Sequence, residues 1–282
     1  MKERIIVSMT TYSKRVYNIP AVLDTIFAQT LPPDLVVINY AIDEAIPDKV
    51  QSYINSHNIE LNRVPDTKVY KKILPTLKKY PNDCIISIDD DFLYPKEMIE
   101  DFMDVHKRYP NHPISGNREV IFEMQCHCGC ASLMKAAFLG DYIDQIDEEV
   151  MRNSPSDDLT FTYFANKAGN AYIRTQGLYF LNMTPYEINE NNKGGVTSLL
   201  GFTGIVNSYK YLCNRFGTID NKVKSYIKDD AYMANLLNEI LLRSAFVQKR
   251  RYQGIVSSYP YKLGHFILKP AYWIRNIYYK WK

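Results

Sequence analysis

The chain has 282 residues, 46% of them hydrophobic and 23% charged, an ordinary globular composition with enough length to bury a substantial core. No window has the unbroken apolar length of a membrane span, and the first residues are too short in apolar character for a signal peptide, so a cytosolic protein is expected. Five cysteines, an odd number with Cys126, Cys128 and Cys130 crowded together, argue against a disulfide framework and fit a reducing compartment.

The net charge of +3 hides a division along the chain. Residues 205–282 carry 14 Lys or Arg against 4 Asp or Glu, and no acid follows Glu239. Residues 1–204 are correspondingly acidic. The expected organisation is a first domain over residues 1–204 and a basic, aromatic, helical extension over 205–282.

In chain order, residues 5–9 form a β-branched run that predicts a buried first strand, followed by the polar loop Thr10-Thr11-Tyr12-Ser13-Lys14-Arg15. Val22, Leu23, Ile26 and Phe27 recur at helical spacing over 19–29, and Pro32-Pro33 closes that helix. Strands are expected at 35–38 and 60–64, helices at 50–57 and 69–79, and a fourth strand through 84–88. This β-α-β-α-β-α-β order predicts an α/β fold with a mostly parallel central sheet covered by helices on both faces. Beyond it, an amphipathic helix is expected at 96–109, strands at 114–116 and 120–124, a helix at 136–146, and another starting at the capping residue Ser156. Strand character returns at 172–181. Residues 187–201, with three Asn and three Gly, read as a mobile loop.

The chemistry concentrates after the fourth strand, in Asp89-Asp90-Asp91-Phe92-Leu93-Tyr94-Pro95. Three adjacent carboxylates repel one another, and a hard divalent cation with oxygen ligands relieves that cost. Their position also matters, because ligands of open α/β sheets bind outside the carboxyl ends of the strands. In an extended segment Asp89 and Asp91 point the same way and Asp90 turns aside. The plain alternative is a solvated acidic turn. Cys126-His127-Cys128-Gly129-Cys130 has no second Cys/His pair at a structural-zinc spacing and reads as a packed strand of small residues.

Taken in order, Val7-Ser-Met-Thr-Thr-Tyr-Ser-Lys-Arg15, Phe27-Ala-Gln-Thr-Leu-Pro-Pro33, Tyr70-Lys-Lys-Ile-Leu-Pro-Thr-Leu-Lys-Lys-Tyr-Pro81, the Asp triplet and Ser156-Asp-Asp-Leu159 resemble bacterial GT-A-fold glycosyltransferases. The likeness is to family-2-like enzymes of surface polysaccharide and lipopolysaccharide biosynthesis, and it covers residues 1–185. It implies the GT-A fold, a nucleotide-sugar donor with a UDP-sugar favoured, a glycan or glycolipid acceptor, Mn²⁺ or Mg²⁺ as cofactor, and inversion at the transferred sugar. By the same resemblance Asp91 is the first choice of metal ligand, with Asp89 sharing the metal or reaching the ribose and Asp90 left open as a direct ligand. Thr10, Tyr12 and Arg15 fall where the family holds the nucleotide, Asp66 and Lys72 flank the next helix, and Lys72 is a diphosphate candidate. Asp157 and Asp158 fall at the general base, with Asp158 preferred. His127 and Gly129 would border the acceptor site. One departure touches the nucleotide base: where many relatives carry an acid after the second strand, this chain has Asn39-Tyr40-Ala41.

Residues 240–282 interleave nine basic residues with ten aromatic ones and no acid. That composition suits an anionic membrane surface, so peripheral attachment at the inner face of the cell membrane is expected, and no nucleic acid. Two other readings stand beside the transferase: a metal-dependent nucleotidyltransferase, and a non-enzymatic membrane scaffold in which the triplet would be dispensable.

Overall fold

The computed structural model describes residues 3–116, 120–122, 124–125, 131–174 and 196–219. Four parallel strands form its centre: β1 (Ile5–Thr10), β2 (Leu35–Ala41), β3 (Ile59–Val64) and β4 (Cys84–Ile88). β1 and β4 are buried along their apolar length, as near-continuous β-branched runs must be when helices cover both faces of a parallel sheet. The sheet has seven strands in the order β3-β2-β1-β4-β8-β5-β9, where β5 is Ile114–Ser115, β8 Ala131–Met134 and β9 Ile173–Arg174. Only β8 runs against the rest, pairing antiparallel with both β4 and β5. A separate hairpin joins β6 (Val120–Ile121) to β7 (Met124–Gln125).

Helix α1 (Ile19–Phe27) buries Ile19, Val22, Leu23 and Ile26, one face at helical spacing. Each such side chain contributes roughly 1.5–3 kcal/mol over leaving it exposed. Helices α2 (Asp48–Asn55) and α4 (Met98–Arg108) follow the same pattern. The helix expected at 69–79 is two pieces: a 3-10 helix, Lys68–Lys72, and α3 (Leu74–Lys79). Pro75 is the cause, because it has no N–H to donate to Lys71 and its ring crowds that carbonyl. Residues 136–146 are two 3-10 turns parted at Gly140, whose φ of 53° only glycine adopts readily. The strand expected at 120–124 folds back at Phe122 (φ 48°) into the β6–β7 hairpin.

Two helices close the described part of this layer, α5 (Glu148–Asn153) and α6 (Asp157–Lys167). α7 (Val196–Phe216) takes in residues read from sequence as loop, continues through residue 204, and is kinked at Gly201 (φ 58°, ψ −179°). Tyr163 of α6 donates a hydrogen bond to the Leu212 carbonyl of α7 (3.1 Å). The described residues contain no helix long and apolar enough to cross a membrane. His127 and Gly129, and residues 220–282 of the extension, lie outside the described residues.

Candidate active site

Parallel register decides what meets at the sheet edge. Met9 of β1 pairs with Ile88 of β4, so two residues further along Thr11 comes beside Asp90. Thr11 Oγ1 donates to Asp90 Oδ2 at 2.7 Å. The chain turns at Asp90 and Asp91 instead of staying extended, which overturns the alternation expected for the triplet. Asp90 and Asp91 converge on one guanidinium nitrogen, Arg15 Nη1, at 3.0 and 2.9 Å, while Asp89 turns to Lys72 Nζ at 3.2 Å. Tyr94 pins the turn: its hydroxyl accepts from the Asp89 N–H (2.8 Å), and its own N–H donates to Thr25 of α1 (3.1 Å).

Lys72 links the two halves of the site. Its ammonium lies 3.1 Å from Asp157 Oδ2 and 3.9 Å from Asp158 Oδ1 at the start of α6, as well as beside Asp89. Burial alone would push this ammonium down; the three carboxylates outweigh it and hold Lys72 well above its ordinary value, fully protonated. Asp157 is 5% exposed, and burial pushes its carboxyl up while Lys72 pulls it back. Asp158, next along the helix, is the more exposed of the two. Ser156 caps α6 by accepting from the Leu159 N–H (3.3 Å).

Buried hydroxyls hold this arrangement in register. Tyr70 Oη donates to the Ser154 carbonyl at 2.5 Å and lies 2.7 Å from Thr160 Oγ1, fastening the 3-10 turn that carries Lys72 to the start of α6. On the other side Ser8 Oγ donates to the Lys72 carbonyl (2.6 Å) and contacts Thr76 (2.7 Å). Asn39 donates to Thr76 (2.8 Å) and Ser8 (3.2 Å), and accepts from Asn62 (2.7 Å). Its amide is thus committed to the sheet. The roles of Thr11, Tyr70 and Asn39 were not read from sequence; the adjacency of Thr10 and Thr11 carried a signal, while the Tyr70 and Asn39 contacts bridge residues far apart in the chain.

The remaining candidates are arranged around this centre. Thr10 Oγ1 donates to the Asn39 carbonyl (2.7 Å) and faces β2, away from the carboxylates. Tyr12 is 40% exposed, with the Arg15 guanidinium 5.7 Å from its ring centroid. Asp66 pairs with Lys68 and Lys71, which hold its carboxyl down at about 2 against the opposing effect of burial. Lys71 is buried while paired with Asp66.

The donor set fits a hard divalent cation. Burial and the neighbouring Asp89 push Asp91 up to about 6 despite Arg15, so the counter-charge present does not fully offset the ionised triplet. Oxygen-only donors suit Mg²⁺ or Mn²⁺. The triplet is not preassembled around one point, however, since Arg15 and Lys72 draw its members apart. Among the described residues the three-donor set already converged within 4.8 Å is Glu3, Cys84 and His106, at the opposite end of β1 and β4. Lys135 neutralises Glu3 there, and we assign that cluster a structural role.

A pH dependence follows for the metal-free protein. Asp91 titrates at about 6 when folded and near 3.8 when unfolded, so the folded state holds the extra proton between those values. Its contribution to stability is present in full below 3.8 and lost as pH rises through about 6. Thermal unfolding in chelator should therefore show the wild type losing ground to Asp91→Asn between pH 4.5 and 7; a constant difference would contradict the assignment.

No protein-family model and no curated protein matches the sequence. Among solved structures, a mannosyltransferase from Pyrobaculum calidifontis in complex with GDP-Man and Mn²⁺ superposes with TM-score 0.54 at 13% identity, over 93% of this chain and 83% of that one. Staphylococcus aureus TarS with UDP-GlcNAc gives 0.49 at 16% identity, over 86% and 72%. A 4-diphosphocytidyl-2C-methyl-D-erythritol synthase gives 0.46 at 14%, over 71% and 99%. The likeness to the mannosyltransferase is one of fold, and the GT-A arrangement implied by the sequence motifs is the fold this chain has.

Proposed function

We propose that the chain is a metal-dependent, inverting glycosyltransferase that moves a sugar from a nucleotide-sugar to a hydroxyl of a surface glycan or glycolipid. One observation carries this reading: on a GT-A sheet, the carboxylates after β4 and the paired acids opening α6 meet across a single buried lysine. A cation held by Asp91 with Asp89 or Asp90 would supply Lewis-acid stabilisation to the departing diphosphate. Tyr12 offers an exposed ring for a nucleotide base, and Arg15 a guanidinium for a phosphate. Lys72 is committed to carboxylates, which makes it a positioning residue in place of the diphosphate contact that the resemblance implied.

Asp158 is the general base in this reading. Asp157 is locked against Lys72 in the interior, whereas Asp158 is open enough for an acceptor hydroxyl to approach and lose its proton there. Asp158→Asn should lower turnover by about a hundredfold or more with donor binding retained. Normal turnover by this variant, or a product that keeps the donor's anomeric configuration, would remove the assignment.

The activity is tested by offering GDP-mannose, UDP-GlcNAc and other nucleotide-sugars with Mn²⁺ and following transfer or hydrolysis by NMR. Metal-dependent turnover of one donor supports the proposal. Pyrophosphate release from a nucleoside triphosphate, with no sugar transferred, would replace it by nucleotidyl transfer.

The basic extension suits attachment to an anionic leaflet, where each Lys or Arg contributes about 1 kcal/mol. Ile274, Ile277, Tyr278 and Trp281 recur at i, i+3, i+4 and i+7, the sequence spacing of an amphipathic stripe. Binding to anionic liposomes should be salt-sensitive and lost when residues 265–282 are deleted, with soluble donor hydrolysis unaffected. Equal binding by the truncated protein would end the membrane role.

A further inference from the structure

Arg15 stands where a cation would. Its Nη1 lies 3.0 Å from Asp90 Oδ1 and 2.9 Å from Asp91 Oδ2, bridging two acids that are 6% and 7% exposed. The loop after β1 delivers it there: Arg15 and Val16 both donate their N–H to the Tyr12 carbonyl, at 2.8 and 2.9 Å, and this turn aims the side chain back over the sheet edge. Thr11 takes the other oxygen of Asp90. One oxygen of each acid is therefore already engaged by a monovalent cation of the protein itself.

A Mg²⁺- or Mn²⁺-carboxylate bond is about 2.0–2.2 Å long, and a dication that close to these oxygens repels a guanidinium hydrogen-bonded to the same atoms. Both cannot keep the site. We propose that Arg15 is the built-in counter-ion of the metal-free site, displaced from Asp90 and Asp91 by the incoming cation and transferred to the diphosphate that the cation accompanies. This rests on the metal-dependent reading above and adds a coupling to it. The cation alone binds weakly because it must evict Arg15 without giving it a new partner. A nucleoside diphosphate supplies that partner, so cation and nucleotide each strengthen the other's binding by the same factor.

The probe is Mn²⁺, followed by the loss of its free EPR signal on titration into the full chain, with and without GDP or UDP. Arg15→Gln should bind Mn²⁺ alone at least threefold more tightly than the wild type, and the extra tightening conferred by the diphosphate should shrink. Arg15→Lys, which keeps a charge, should stay near the wild type. Equal or weaker Mn²⁺ binding by Arg15→Gln, with wild-type binding intact, overturns the counter-ion role and leaves the metal reading standing. No Mn²⁺ binding by any of the three proteins, with or without nucleotide, overturns both. A second measurement needs no variant: the salt-bridged Arg15 side-chain ¹⁵N–¹H signal, protected from exchange in chelator, should lose its protection on adding Mg²⁺ to saturation. Retention of that protection also overturns the proposal.

Discussion

Excess chelator should lower sugar transfer by about a thousandfold or more, and Asp91→Asn should do the same in the presence of metal. A Lewis acid at the departing diphosphate is worth several kcal/mol, and each 1.36 kcal/mol is a tenfold change in rate. The isosteric amide leaves the buried turn its shape, and because Asp91 resists ionisation up to about 6, the variant loses no folding energy at neutral pH. Turnover against temperature-matched unfolding curves separates the two effects. Full activity in chelator, or in both Asp91→Asn and Asp89→Asn, would exclude the metal from the mechanism.

Lys72→Met should destabilise the protein by about 3–5 kcal/mol, the usual cost of leaving a buried charge without its partner. For a chain of this size that is a fall in Tm of roughly 10 °C. Here the ammonium holds Asp89, Asp157 and Asp158 together, so its loss sets three carboxylates against one another, with Asp157 buried away from the water that would screen it. The check is a double-mutant cycle with Asp157→Asn: removing the most deeply buried acid should return part of the lost stability. An unchanged Tm in Lys72→Met, or strictly additive losses in the pair, would show that the charges are not coupled as their distances indicate.

Much of the frame was legible because local signals agreed with the final environment. β1, β2 and β4 are apolar runs with no polar alternation, and α1 and α4 keep their apolar residues at helical spacing, though α1 ends at Phe27, ahead of the Pro32-Pro33 expected to close it. β8 was missed because Ala131-Ser-Leu-Met134 has neither β-branching nor alternation, and only its place between β4 and β5 makes it a strand. Pro75 and Gly140 interrupt segments whose apolar spacing predicts unbroken helices. In the site, the Asp triplet announced itself by charge repulsion between neighbours in sequence. The bridge from it through Lys72 to Asp157 did not, since Lys72 and Asp157 are far apart in the chain and meet where Tyr70 and Ser8 fasten the turn that carries Lys72. Alternation within the triplet failed for a local reason: it presumes an extended backbone, and the strand ends at Ile88.

The reversed strand β8 has a consequence for how the molecule comes into being. β4 and β5 lie on either side of it and are not paired with each other, so the two earlier-made segments are joined through a strand synthesised after both. Until Ala131–Met134 has emerged, one flank of Cys84–Ile88 has no hydrogen-bonding neighbour, although every residue of it is buried in the finished sheet. An apolar strand with a bare edge is a template for pairing with other chains. A nascent or cleaved chain that stops short of residue 131 is thus the sticky form of this protein, and the half bearing Asp89, Asp90 and Asp91 does not make a self-sufficient module.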